Sequence, residues 1–341
     1  VTTDIKHSTK YPEAAKIAEL LKAAQHIVIV QADNPDGDSL ASALALEQIL
    51  GDMGKEPYLY GAVNVPTYLR YLPGWDRVEQ DLPKQFDLSI VVDTSADDLL
   101  GGLQKSGQKS WLAAKPSIVL DHHATKATIQ FATVICNPVA VATSEVIYEL
   151  AQQLSWPLNP TAKEMIAVAI MSDSLGLSTE STTGRSIHVI GELVENGVSL
   201  TKLDNARRLL MKKSPQLITY KGELLQRIEY FNDQKIATIT IPWEEIVTYS
   251  PLYNPSMLVI DDMRMTENTE LAIAFKVYKD GKVTAKIRAN FGTPIAGKLA
   301  EAFGGGGHAY SSGFKVTDGR LFEDIKKETL NKAAELLNET V

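Results

Sequence analysis

His26-Ile27-Val28-Ile29-Val30-Gln31-Ala32-Asp33-Asn34-Pro35-Asp36-Gly37-Asp38-Ser39 is the stretch from which the fold can be read. It begins as a continuous β-branched run and ends as an acidic turn containing Asn, Pro and Gly. Such a run, bounded by turn formers, reads as a buried parallel strand, which places the turn at the strand's carboxyl end. Asp36 and Asp38 can reach a common point there, and two close carboxylates repel unless a cation sits between them. An Asx-rich turn in which Asp38 or Ser39 caps the following helix accounts for the same residues equally well.

The pattern recurs. Leu88-Ser89-Ile90-Val91-Val92 ends in Asp93, and Ser117-Ile118-Val119-Leu120 ends in Asp121-His122-His123. In an open α/β sheet ligands bind outside the carboxyl ends of the strands, so these pieces are expected to meet at one crevice. Carboxylate oxygens with one or two imidazoles suit a hard divalent ion, Mn²⁺ or Mg²⁺. Residues 161–172 are apolar on nearly all sides after their first turn and predict a buried helix running into Asp173. A carboxylate at the end of a buried helix is costly unless paired, hydrogen-bonded or metal-bound; capping the segment that follows is its alternative role.

The chain has 341 residues, 44% of them hydrophobic, enough to bury a sizeable core in two domains. No run is long enough to span a bilayer, and the polar start Val1-Thr2-Thr3-Asp4 carries no secretory signal, so a cytoplasmic location is expected. A single cysteine, Cys136, excludes an intramolecular disulfide framework and a thiolate cluster. A net charge of −8 argues against a protein that coats duplex nucleic acid, though a local basic patch can still take a short anionic substrate.

Strands alternate with helical stretches at 12–25, 39–50 and 141–154, which predicts an α/β fold with a doubly wound, mostly parallel sheet over residues 1–195. A helical linker is expected at 196–225, where Arg207, Arg208, Lys212 and Lys213 form either a solvated face or a patch that steers an anion. Residues 226–341 read as a smaller mixed α+β domain, with strands at 235–242, 270–279 and 281–288 and helices at 294–302 and 321–337. Within it, Gly304-Gly305-Gly306-Gly307-His308 predicts a loop whose exposed N–H groups form an anion-binding concavity. Arg288, with its planar fork of donors, is the best candidate for a second phosphate ligand.

Asn34-Pro35-Asp36-Gly37-Asp38, Val91-Val92-Asp93, Asp121-His122-His123, Asp173 and Gly304-Gly305-Gly306-Gly307-His308, in that order, resemble the motifs of the DHH phosphoesterase family with its associated C-terminal domain. The resemblance spans nearly the whole chain, and the two-domain layout is most similar to the branch of nanoRNases and 3′-phosphoadenosine 5′-phosphate (pAp) phosphatases. It implies a two-manganese centre, with Mg²⁺ as the alternative metal. Asp36 would bind one ion and Asp38 the other, Asp93 would bridge both, and His122 and Asp173 would complete the coordination of the second ion. Asp121 would orient a neighbouring imidazole and His123 would lie near the scissile phosphate. The far end of the substrate would be held by Arg288, Gly305, Gly306, Gly307 and His308, with closure between the domains.

The implied function is hydrolysis of short RNA or linear dinucleotides, with pAp or a cyclic dinucleotide as further substrates; the family analogy also implies a homodimer and no membrane. One departure matters. Where this branch has a histidine two residues before Asn-Pro, the chain has Ala32. Alanine offers no donor, so the first ion is expected to bind weakly, with Asp33 or Gln31 as substitutes, although Asp33 faces away from the Ala32 side of a strand. A catalytically impaired nucleotide-binding protein is the alternative this residue raises.

Overall fold

The computed structural model describes residues 11–124 and 126–339. They divide into two compact units, Val1–Lys212 and Lys213–Val341. In the first, α1 (Ala14–Ala23) leads into β1 (His26–Val30), followed by α2 (Gly37–Asp52), β2 (Glu56–Tyr60) and β3 (Leu88–Val92). Two short helices, α3 (Gly101–Lys105) and α4 (Lys109–Ala113), precede β4 (Ser117–Leu120) and β5 (Val134–Cys136). Four helices then complete the unit: α5 (Thr143–Leu154), α6 (Pro160–Asp173), α7 (Gly184–Glu195) and α8 (Leu200–Leu210).

Among the described residues of this unit, five parallel strands pair in the order β2-β1-β3-β4-β5. The strand order reverses between β1 and β3, which makes that crevice the topological switch point where doubly wound sheets bind ligands. Val30 pairs with Val91, and Val92 with Leu120, so β1, β3 and β4 end nearly level. Ile27, Ile29, Ile90, Val92, Ile118 and Leu120 face one core with α2, α5 and α6, while Val28, Val30, Val91 and Val119 face another with Leu100 and Leu112. Burial on both faces is why these strands read as unbroken apolar runs.

Helix α2 is lined with Ala41, Ser42, Ala43 and Ala45, all fully buried, and lies close against α6. At its first turn a Cβ on Gly37 would come within 2.1 Å of Ser172 Oγ, so glycine alone lets the start of α2 lie against the end of α6.

The second unit begins with α9 (Pro215–Leu225), β6 (Glu229–Phe231), β7 (Ile236–Ile241), α10 (Trp243–Tyr249) and α11 (Pro255–Arg264). It continues through β8 (Leu271–Val277), β9 (Val283–Ala289), α12 (Ala296–Glu301), β10 (Gly306–His308), β11 (Ser311–Val316) and α13 (Phe322–Glu339). Its sheet, six strands among the described residues, has the order β10-β11-β9-β8-β7-β6, antiparallel except for the β7–β8 pair. Ile273, Phe275, Ala285 and Ile287 pack on one side with Leu299 of α12 and Ile325 of α13; Ile239, Ala272 and Ala274 pack on the other with Leu224, Val259 and Ile260.

Two expectations change in this description. The stretch 196–225 is split: α8 belongs to the first unit and α9 to the second, with the division at Lys212–Lys213. On α8, Arg207 and Arg208 both bind Asp204 of their own helix, the solvated-face arrangement. The glycine run is an edge strand rather than a loop, for Gly306, Gly307 and His308 pair with Gly313, Ser312 and Ser311. A Cβ on Gly305 would meet Gly313 O at 2.3 Å, and Gly307 takes a φ of 137°, so the glycines serve close strand pairing as well as backbone freedom. No described helix is long and apolar enough to cross a membrane.

Candidate metal centre

The turn after β1 continues directly into α2. Asp36 is the N-cap of that helix, its Oδ1 accepting from Ser39 N at 3.0 Å. Asp38 lies inside the first turn and is fully buried. Its carboxylate accepts from Ser42 Oγ at 2.8 Å, Thr143 N at 2.6 Å and Ser144 N at 3.3 Å. The two amides open α5, so the positive end of that helix helps to hold a buried anion. Burial, and then the Asp173 carboxylate, nonetheless push Asp38 up to about 6, against the pull of His122.

Asp93 ends β3 in a left-handed turn, φ 61°, a conformation aspartate tolerates better than most residues. Its Oδ1 accepts from Thr143 Oγ1 at 3.0 Å. Thr143 therefore holds Asp38 through its backbone and Asp93 through its hydroxyl. Burial raises the Asp93 carboxyl well above the usual range, and the Asp38 charge adds to it.

His122 leaves the end of β4 with Nδ1 3.2 Å from the Ala140 carbonyl oxygen. A carbonyl only accepts, so Nδ1 carries the hydrogen and Nε2 is left to bind something else. Nε2 lies 3.2 Å from Asp173 Oδ2, 3.5 Å from Asp93 Oδ1 and 3.7 Å from Asp38 Oδ2. It is buried, and although all three oxygens are at ion-pair distance none is placed for a well-formed hydrogen bond. Burial works against a charge on this ring, yet Asp173, Asp93 and Asp38 drive its pKa up to about 11. Three carboxylates around one imidazole demand positive charge, and an imidazole nitrogen among carboxylate oxygens is the donor set of a divalent cation.

His123 is oriented from behind. Its Nδ1 donates to Asp121 Oδ1 at 2.7 Å, and its own and His122's backbone N–H groups also point at that oxygen, at 3.3 and 2.8 Å. Burial opposes ionisation of Asp121, but these hydrogen bonds, His123 first, bring it down to about 2. The same bond raises His123. A carboxylate that fixes the far nitrogen of an imidazole is the usual support of a metal-binding histidine.

Two groups of ligand atoms result among the described residues, each lying within 4.8 Å of one another: Asp38, His122 and Asp173, and Asp93, His122 and His123. His122 belongs to both groups, yet with Nδ1 on the Ala140 carbonyl its one free lone pair serves a single ion, whereas the two oxygens of Asp93 can face two; His123 stands with Asp93 and His122. Asp36 lies outside both groups; its Oδ1 closes the α2 cap, and burial and the neighbouring Asp173 raise its pKa. Ala32 is buried at 4% exposure. Asp33 turns to the start of α3 instead, its Oδ2 accepting from Gly102 N at 2.7 Å.

Arg288, Gly305, Gly306 and Gly307 all lie in the second unit, on β9 and at the edge strand β10; the side chain of His308 falls outside what is described. Arg288 Nη1 donates to Ile287 O at 2.9 Å. Thr143, Ser144 and Ser42 escape a reading of the sequence alone. The Thr-Ser-Glu start of α5 marks a helix N-terminus, but nothing local shows that a carboxylate more than a hundred residues earlier binds there.

Residues 26–172 match the DHH family, N-terminal domain, and residues 252–341 match the DHHA1 domain. The chain is 25% identical over 301 residues to the bifunctional oligoribonuclease and PAP phosphatase NrnA of Thermus thermophilus, covering 87% of this chain and 86% of that protein. It is 23% identical to the protein of the same description in Bacillus subtilis, covering 91% and 96%. Among solved structures, an exopolyphosphatase-related protein from Bacteroides fragilis superposes with a TM-score of 0.82 at 21% identity, over 96% of this chain and 97% of that one.

Proposed function

The chain belongs to the DHH family, its N-terminal domain followed by a DHHA1 domain, and from that premise we propose that it is a metal-dependent phosphodiesterase of short oligoribonucleotides and linear dinucleotides that also dephosphorylates pAp. The observation that carries the reading is the buried Nε2 of His122, at ion-pair distance from oxygens of Asp38, Asp93 and Asp173 but without a well-formed hydrogen bond to any of them. The Thermus and Bacillus relatives, each an oligoribonuclease and PAP phosphatase, supply the substrate class.

Asp38, His122 and Asp173 would hold one ion, and Asp93 with His123 would serve a second, because the single free lone pair of His122, on Nε2, can bind only one; the mixed carboxylate and imidazole set favours Mn²⁺. Divalent ions there supply a water activated for in-line attack and offset the charge that builds on the phosphoryl oxygens. The protein's own part is positioning. Thr143 fixes the two buried carboxylates relative to each other, and Asp121 keeps Nε2 of His123 free by holding Nδ1. Arg288 and the N–H groups of Gly305, Gly306 and Gly307, with His308, bind a substrate phosphate.

Ala32 is the ground for a second reading, nucleotide binding without turnover. His123 brings to the Asp93–His122 group an imidazole that Ala32 lacks, and this favours turnover. The test is hydrolysis of dinucleotides, short RNA and pAp by the purified chain with Mn²⁺. Turnover is expected on at least one of them, with Asp93→Asn reducing it by more than the ~10–100-fold typical of outer-sphere changes. Binding of all three with no release of mononucleotide or phosphate would establish the second reading instead.

A further inference from the structure

Strand β9 alternates strictly: Val283, Ala285, Ile287 and Ala289 are buried in the core beneath α12 and α13, and Thr284, Lys286 and Arg288 turn to the other face. Registry carries this face across the sheet. Arg288 pairs with Ala272 on one side and Ser311 on the other, Lys286 with Ala274 and Gly313, and Thr284 with Lys276 and Lys315. Helices α9 to α11 cover this face over β7 and β8, where Ala272 and Ala274 are buried, but Ser311, Gly313 and Lys315 on β11 are half-buried or exposed.

Four cations therefore share one partly open sheet face in a chain whose net charge is −8. Among the described residues none of the four forms an ion pair. Asp261, the one acidic group acting on Arg288, is itself engaged by Arg264 at 3.0 Å. Lys286 and Arg288 are two residues apart on one strand, about 7 Å, and Lys276 stands diagonally across from Lys286 at about 7–8 Å. That is the scale on which successive phosphates follow one another in an extended strand. Gly313, with no side chain, leaves the flank of Lys286 open. Burial and mutual repulsion lower Lys276 and Lys286, as expected of cations without counter-charge.

We propose that this face, Lys276, Lys286 and Arg288 bordered by Lys315, is a track for the phosphate backbone of single-stranded oligonucleotides longer than a dinucleotide. The inference rests on the oligonucleotide reading of the preceding section and deepens it: preference for length is set in the second unit. Arg288 takes one phosphate of any substrate, and Lys286 and Lys276 take the further phosphates that only a longer strand brings.

The test compares labelled pentanucleotide and dinucleotide RNA binding to the full chain in EDTA, by fluorescence polarisation across a salt series. The double variant Lys276→Gln/Lys286→Gln should bind the pentanucleotide at least about 10-fold more weakly and the dinucleotide less than about two-fold more weakly, with the salt slope reduced by about 0.7 per lysine removed. Lys286→Arg in the Lys276→Gln background should recover part of the pentanucleotide affinity, which a merely misfolded variant would not. Equal weakening for both lengths, or an unchanged pentanucleotide affinity, overturns the proposal. If that happens while the unaltered chain hydrolyses dinucleotides with Mn²⁺, the phosphodiesterase reading stands alone; a chain that neither binds nor cleaves RNA overturns both.

Discussion

His122 combines a committed Nδ1–H with a buried Nε2 facing three carboxylates, so its charge state depends on which cation is present. A proton and a divalent ion compete for the same nitrogen and the same oxygens. Asp38 titrates near 6 in the folded chain, raised by burial and Asp173, against an ordinary value near 3.8. Its contribution to stability is therefore full below about pH 4 and is lost as pH rises through about 6. In chelator, the melting temperature of the unaltered chain should fall across this window relative to that of Asp38→Asn. A difference that is flat with pH would show that Asp38 is not so perturbed. Asp36 allows a sharper distinction. Its cap on α2 can be supplied by serine, so Asp36→Ser should keep the melting temperature, whereas Asp36→Ala should cost about 1 kcal/mol. Calorimetric Mn²⁺ affinity should change less than about 10-fold in Asp36→Ser, because the carboxylate is committed to Ser39 N. A loss as large as that of His122→Ala would return Asp36 to the ligand set.

At the scale of elements, the site depends on two close approaches. Gly37 brings the start of α2 against Ser172, next to Asp173, and a methyl group there must push the helices apart. Gly37→Ala should weaken Mn²⁺ binding at least about 10-fold by isothermal titration, because it separates Asp38 from Asp173. The start of α5 makes the other approach, and Thr143→Val, which removes the hydroxyl bond to Asp93 but keeps the amide bond to Asp38, should cost about 10–100-fold in kcat/KM. An unaltered rate would mean that Asp93 is positioned without it. These elements were unequally legible. The runs ending at Val30, Val92 and Leu120 announce buried strands because both of their faces are apolar, and the acidic residues that follow them mark the site. Thr143 was not legible as a support, since its partners come from α2 and β3 and only the fold joins them. The glycine run misled for a physical reason: glycine has no intrinsic strand preference, and β10 forms because β11 offers it Gly313 and Ser312 to pair with. Helices α10 and α11, between β7 and β8, were also missed; each follows or begins with proline, Pro242 and Pro255, which sequence reading takes as a break but which suits a first helical turn.

Taken as a whole, the molecule separates its charges. Carboxylates collect at the switch point of the parallel sheet in the first unit, and unpaired cations collect on one face of the mixed sheet in the second. That division was visible in outline from the sequence, where Asp and His motifs occupy the first half and Arg288 and the glycines the second. The boundary was blurred, because both helices flanking Lys212 carry polar faces typical of a linker. Hydrogen exchange should report the division directly in the full chain. Mn²⁺ should slow amide exchange in the turns after β1, β3 and β4 and at the start of α5, and a pentanucleotide in EDTA should slow exchange in β9 and β11. Protection by Mn²⁺ that is strongest in the second unit would contradict this assignment.

The most direct measurement of the central claim is anomalous diffraction at the manganese edge from crystals soaked in Mn²⁺. The expected result is manganese density bound to Nε2 of His122 together with oxygens of Asp38 or Asp93 and Asp173, lost in His122→Ala. Manganese bound elsewhere, with His122 Nε2 still uncoordinated, would contradict it.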